Sequence, residues 1–312
     1  MGCAMTTLDE LALKIDALEN VDNGKLFQRK ARVLQALWRI EMGYPVGVTR
    51  GVIRGATLAM PWAEETLSNY LNDTIRDVIR QEVHGPGNDD KLYGKPRIYN
   101  HLLSSQPLAF NLFAVLSRNI PLATKVFREL TAGRCQQITR MEFEYSPGRR
   151  DPRYLGDRSA FDVYAEYEGA VGHGFIGIEV KYHEDLDNKE SDHRSHYDHV
   201  ADNAGCFDPG SRARLKMKPL QQVWRDHLLA ESILHADKDK FTDGFFVFLS
   251  PKDNDACNAA VAAYHSCLIS RKTFEHWTLE SVAATIRRFT DDPWIASFQD
   301  RYLNFAKLDA LL

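Results

Sequence analysis

Apolar residues recur at three- and four-residue spacings through much of the first third of the chain, the period of helices with one buried face. The pattern predicts helices over 8–18 and 26–42, the second stopped by Gly43 and Pro45. It continues over 63–83 and ends in the turn-rich Gly85-Pro86-Gly87-Asn88. Further helices are predicted over 106–116 and from Pro121, a residue suited to a first helical turn, to about Thr131. From Gln137 the period shortens to two. Residues 137–145, 160–168 and 175–183 alternate as strands do, with a glycine-rich hairpin turn at 169–174 between the last two. A polar stretch over about 184–217, rich in His, Asp and Arg, reads as a loop. Pro219 then opens a helix to about His235, and the apolar run 241–249 reads as a buried strand. Helices and one more strand near 272–278 complete the chain.

That order, helix–three strands–helix–strand, implies an α/β protein with a central mixed sheet flanked by helices and an N-terminal helical region packed on it. A length of 312 residues suits one large domain or two closely packed ones. The expected division is a helical region over 1–118 and the sheet-bearing domain over 119–312. No stretch approaches the ~20 consecutive apolar residues of a membrane helix, and no basic-then-apolar start signals secretion. Five scattered cysteines, Cys3, Cys135, Cys206, Cys257 and Cys267, form no Cys-x-x-Cys pair. They argue against a zinc ribbon or a disulfide framework and fit a reducing cytoplasm. The opening Met-Gly-Cys-Ala-Met-Thr matches a loose myristoylation pattern. Asp9 and Glu10 follow where a basic second signal would be needed, so a cytoplasmic protein is the expectation.

A net charge of −4 neither advertises a nucleic-acid binder nor excludes one, because binding depends on local patches. Two basic segments stand out. Arg134, Arg140, Arg149, Arg150, Arg153 and Arg158 fall within one short span, and Arg212, Arg214, Lys216 and Lys218 precede the Pro219 helix. Taken singly, each reads as solvated surface. Flanking the same carboxylates, they point to phosphate contact.

Those carboxylates lie on two adjacent strands. Ser159-Ala160-Phe161-Asp162-Val163 sets an acid between apolar residues, and Gly177-Ile178-Glu179-Val180-Lys181-Tyr182 repeats the design with two charges. Alternation puts Glu179 and Lys181 on one face, with Ile178, Val180 and Tyr182 on the other. A hairpin would bring Asp162 beside them. Two carboxylates and an ammonium on one face suit phosphodiester hydrolysis: the acids hold Mg²⁺, a hard ion with oxygen ligands, and the lysine orients water or stabilises developing charge. An isolated Glu-x-Lys is common by chance and reads first as a structural salt bridge.

In context, Asp162, a hairpin and the Glu179-Val180-Lys181 strand within this element order resemble the PD-(D/E)xK nuclease superfamily, over roughly 121–250. The chain is also similar to a little-characterised bacterial branch of it in Ser104-Ser105-Gln106, Phe143-Glu144-Tyr145-Ser146-Pro147, Ile178-Glu179-Val180-Lys181-Tyr182 and the run Leu220-Gln221-Gln222-Val223-Trp224-Arg225-Asp226-His227-Leu228-Leu229. The resemblance implies a metal-dependent nuclease with DNA as partner and Mg²⁺ (or Mn²⁺) as cofactor. Asp162 and Glu179 would be metal ligands and Lys181 the catalytic lysine. Phe161 stands where the motif's proline would be. Glu144, preferred over Glu142 on the same face, is a further ligand candidate. Gln222, one turn from Arg225, is placed to position substrate or water. Gln106 and Asn111, in an apolar helix, read as capping or core hydrogen-bonding residues. His193, His196 and His199, spaced by three beside Asp192 and Asp198, could form a transition-metal site or touch a DNA backbone. Two rivals to the nuclease therefore stand: a catalytically silent nucleic-acid-binding module of the same fold, and a metal-dependent hydrolase centred on these histidines.

Overall fold

The computed structural model describes residues 6–17, 25–86, 88, 90–187 and 191–311. The acylation pattern, Cys3, the end of the first predicted helix at Leu18 and Gly87 of the predicted turn lie outside the described residues.

The first third is helical with one exception. Helix α1 (Thr7–Lys14) starts on a reciprocal Thr6–Asp9 capping box, and α2 (Leu26–Glu41) buries Phe27, Ala31, Leu34 and Trp38 at helical spacing. A hairpin of β1 (Val46–Thr49) and β2 (Val52–Leu58) follows, where the sequence pattern predicts no strands. Its two-residue turn is Arg50-Gly51, with φ of +51° and +77°. Such turns require positive φ at both positions and usually announce themselves as Asn-Gly or Asp-Gly. Arginine in the first position hides this one.

The helix predicted over 63–83 is two helices, α3 (Trp62–Thr66) and α4 (Asp73–His84). Leu67 turns left-handed at φ +51° and ends α3, and the Asn72 side chain caps α4 at the Ile75 amide. Buried Asn111 braces the break, accepting from the Leu71 amide and donating to the Asn69 carbonyl. Apolar periodicity runs through the gap because the gap residues are buried too. A short α5 (Arg97–Asn100) leads to α6 (Ser105–Arg118) and α7 (Ile120–Leu130), the last capped by Asn119.

The sheet runs in the order β3 (Cys135–Tyr145), β4 (Phe161–Gly169), β5 (Gly172–Val180), β6 (Asp243–Ser250), β7 (Phe274–Thr278). The first three strands are antiparallel, and β5, β6 and β7 are parallel. Between β5 and β6 lie α8 (Ser195–Ala204), α9 (Arg212–Leu215) and α10 (Leu220–Ala236). The stretch predicted as a polar loop thus contains α8, which buries Tyr197, Val200 and Ala201. Those three residues at i, i+3 and i+4 were its signal among the surrounding polar ones. Helix α11 (Asp255–His265) links β6 to β7, and α12 (Leu279–Arg287), α13 (Pro293–Tyr302) and α14 (Ala306–Asp309) close the chain.

Helices cover both faces of the sheet, which is why β6 reads as an unbroken apolar run. One face packs Val163, Ile178, Val180, Val247 and Leu249 against the N-terminal helices and α12–α13. The other packs Tyr164, Phe175, Phe246 and Phe248 against α8, α10 and α11. Gly177 in β5 lies where a Cβ would strike the Phe161 ring at 2.5 Å, so only glycine lets that ring lie flat across the strand beside the acids.

Arg301 on α13 ties the N-terminal helices to this core. It is fully buried, its guanidinium stacks 3.8 Å over Trp38, and it donates to Gln35 and to the carbonyl and side chain of Asn69. Replacing it by Ala should cost about 3 kcal/mol, because three buried acceptors lose a charged donor at once. Chemical denaturation checks this, and a loss below ~1 kcal/mol would show that the tie is dispensable.

Candidate functional site

Asp162 is the second residue of β4 and Glu179 the next-to-last of β5, one step beyond the Val163–Ile178 pair of the ladder. The antiparallel register therefore sets them opposite each other. Asp162 Oδ2 accepts the Val180 amide at 2.8 Å, which fixes its carboxylate at the strand end. Lys181 follows β5 and stays extended, because its amide donates to the Leu249 carbonyl of β6 at 2.8 Å. Its Nζ donates to Glu179 Oε1 at 2.5 Å, and Gln222 Nε2 on α10 donates to the same oxygen at 2.8 Å. Both donors take Oε1 and neither takes Oε2. Glu179 and Lys181 are 7% and 6% exposed, a depth at which unpaired charges would be costly.

Glu144 stands near the end of β3 with φ +49°, a left-handed turn that redirects its side chain into the same cavity. Arg149 pairs with it at 2.9 Å. Alternation alone could not have separated Glu144 from Glu142; the backbone turn does, and Glu142 pairs with Arg140 instead. The cavity, about 360 Å³, is lined by Glu144, Asp162, Glu179 and Asp226 together with Arg158, Lys218 and Arg225.

Asp226 is the residue that sequence reasoning missed. It sits on α10 one turn beyond Gln222, is 7% exposed, and its Oδ2 has no hydrogen-bond partner. Its signal was an acid one turn beyond Gln222, in a helix that buries most of its residues.

Electrostatics follow from this crowding. Burial and then the nearby Glu179 raise the Asp162 carboxyl well above the usual range, against the pull of Lys181. Burial and Glu179 do the same to Asp226. Burial also raises Glu144, although Arg149 opposes it. Burial alone would lower the Lys181 ammonium; Glu179, Glu184 and Asp162 outweigh that and hold it above the usual lysine range. Lys181 is therefore a cation and a hydrogen-bond donor.

Four carboxylates that resist sharing one space fit a divalent cation, and the unpartnered Asp226 oxygen is a ligand atom in waiting. Among the described residues no three of these acids bring oxygens within 4.8 Å of one another. An ion there would take one or two carboxylates and fill its sphere with water or substrate oxygens, the habit of Mg²⁺.

The basic segments divide. Of the second, Lys218 reaches the cavity and pairs with Asp187 at 2.9 Å, while Arg212 and Lys216 are committed to Asp198, Arg212 also to Asp202, and Arg214 extends to Ser266. Of the first, Arg149 and Arg158 come to the site; Arg134 binds Asp243 and Arg153 binds Asp151. Arg225 is held by Asp157, Ser159 and Ser191 at the cavity wall.

The three histidines do not converge. His193 lies before α8 and pairs with Asp198 at 2.8 Å, and His196 bonds the Tyr154 carbonyl at 2.5 Å. His196 and His199 line a separate cavity of about 590 Å³ against the C-terminal half of α10, which shares no residue with the acidic cavity. Among the described residues, the group close enough to share an ion is Cys206, His227 and Glu231, which are buried and bonded to one another and to Thr273 and Tyr264.

No helix of the described residues is long and apolar enough to cross a membrane. No curated protein and no solved structure matches the chain significantly. A family model described as the PD-(D/E)XK nuclease superfamily matches residues 20–304, wider than the span on which the sequence resemblance rested. With the strand order and the paired acids above, that match covers nearly the whole chain: it belongs to the PD-(D/E)XK nuclease superfamily.

Proposed function

We propose that this protein hydrolyses phosphodiester bonds of DNA with Mg²⁺, or Mn²⁺ in its place. The observation that carries the reading is the buried Lys181–Glu179 pair, set opposite Asp162 at the edge of a cavity with four acids and three cations. Asp162 and Glu179 would hold the ion, with Glu144 and Asp226 beside them. A divalent ion held there would offset the crowded charge and supply Lewis acidity to the phosphoryl group. Gln222 holds the Glu179 carboxylate in one orientation through the 2.8 Å bond to Oε1. Lys181, a cation, works as a donor: its Nζ orients the attacking water and stabilises charge developing on the phosphoryl oxygens. Lys218, Arg158 and Arg225 line the cavity mouth where a phosphate backbone would enter.

The direct test is incubation of the purified protein with circular and linear, single- and double-stranded DNA, with Mg²⁺, with Mn²⁺ and with chelator. Metal-dependent cleavage of at least one substrate is expected. No cleavage under any condition would favour a silent binding module of the same fold.

Two substitutions sharpen the assignment. Lys181→Met keeps the aliphatic length and removes the donor. It should bind DNA and metal about as the parent does and cut on the order of 10²- to 10³-fold more slowly. If Lys181 were only a structural ion pair, the variant would melt earlier and cut normally.

Asp226→Asn removes, without changing shape, a carboxyl that burial and Glu179 hold against ionisation in the folded chain. In chelator at neutral pH it should melt about 1–2 °C above the parent, the shift that ~1 kcal/mol gives a chain somewhat longer than 250 residues. A lower melting temperature would mean that Asp226 is a structural acid.

A further inference from the structure

Lys181 has a second side. Beyond it lies a cleft of about 520 Å³, lined by Arg32, Arg97, His101, Ser104, Lys181 and Gln222, with Lys25 at its rim. Gln222 also lines the acidic cavity, so the two spaces meet at the Glu179–Lys181 pair.

Resting on the nuclease reading, we infer that this cleft is a second phosphate site, taking a phosphate of the bound strand other than the one attacked. Four observations converge. The charge is positive: Lys25, Arg32, Arg97 and Lys181 face Glu184 and Asp185. Asp185 is bonded to Lys25 and to the Asp187 amide, and Glu184 accepts the Tyr182 amide at 2.7 Å. Three buried polar atoms on its walls, Ser104 Oγ, His101 Nδ1 and His183 Nδ1, have no hydrogen-bond partner. Ser104 is 2% exposed. A buried hydroxyl without a partner is rare enough to need an explanation, and a ligand oxygen supplies one.

Ser104 also holds the N-cap position of α6, yet its side chain makes no capping bond. The start of that 14-residue helix therefore opens on the cleft through Ser104 and Ser105, as helix N-termini do towards anions. Arg32 on α2 is 4% exposed and lines the cleft, where a planar fork of donors suits a tetrahedral oxyanion. His101 is pushed down to about 4 by burial first and then by His183, Arg97 and Arg32, so it enters as a neutral ring in a positive field.

The missed hairpin builds this wall. The Thr57–His101 bridge and the Leu102 amide bond to the Ala56 carbonyl hang residues 101–104 on β2. Ser104 and Ser105, singled out in the sequence without a role, thereby acquire one, while Gln106 accepts the Gly94 amide and donates to the Leu92 carbonyl.

The phosphate could be internal to the strand or terminal, and the test separates the two. Binding of a fluorescent oligodeoxynucleotide is measured in chelator, which stops cleavage, with a terminal phosphate, with a terminal hydroxyl, and in circular form. The proteins are the parent, Ser104→Ala and Arg97→Ala. Neither variant touches the acidic cavity, and Arg97 is an exposed side chain, so folding is not at stake.

Arg97→Ala should weaken binding on the order of 10-fold and flatten the salt dependence by about one counterion. Ser104→Ala should weaken it about 3-fold or more. Loss confined to the terminal-phosphate probe identifies an end-binding pocket; equal loss on the circle identifies an internal phosphodiester. Unchanged affinity and slope in both variants on all three probes would overturn the second site, whether or not the parent cuts DNA. A parent that never cuts, with the variants still weakened, would overturn the nuclease reading and leave this site standing.

Discussion

A buried ammonium is stable only where carboxylates surround it, and Lys181 is 6% exposed. That single constraint organises the centre of the molecule. Glu179 bonds Nζ directly, with Glu184 and Asp162 near enough to hold the charge. Burial, and then repulsion from Glu179, hold Asp162 and Asp226 partly against ionisation. A folded chain that keeps four acids and a cation this crowded carries a strain that a divalent cation would relieve.

The sheet makes the crowding possible. The antiparallel β4/β5 register sets Asp162 opposite Glu179, and the bond from the Lys181 amide to Leu249 extends β5 one residue past its end. Helix α10 then closes one side with Gln222, Arg225 and Asp226 on neighbouring turns. The N-terminal helices close the other with Arg32, His101 and Ser104, and they are locked to the core by Arg301. Lys181 is the wall between an acidic space suited to a cation and a basic one suited to an anion.

Much of this was legible in the sequence because it is local. Period-two alternation gave β3, β4 and β5, and with them the shared face of Glu179 and Lys181. Features set by tertiary contacts were not legible. The break after α3 depends on Asn111, forty residues away, accepting the Leu71 amide. The β1/β2 turn depends on an arginine adopting positive φ. Glu144 reaches the cavity through a backbone twist that no pattern marks. Arg212 and Lys216, which look free in sequence, are neutralised by acids on a helix that the polar composition concealed. The basic cleft draws on residues from 25 to 222, and no motif spans that distance.

The central claim is that the acidic cavity holds a divalent ion beside Lys181. It is tested most directly by Mn²⁺ binding, followed by electron paramagnetic resonance or calorimetry without nucleic acid, in the parent and in Asp162→Asn. The account predicts saturable binding in the parent that the single substitution removes while the fold survives. Identical isotherms for the two proteins would contradict it.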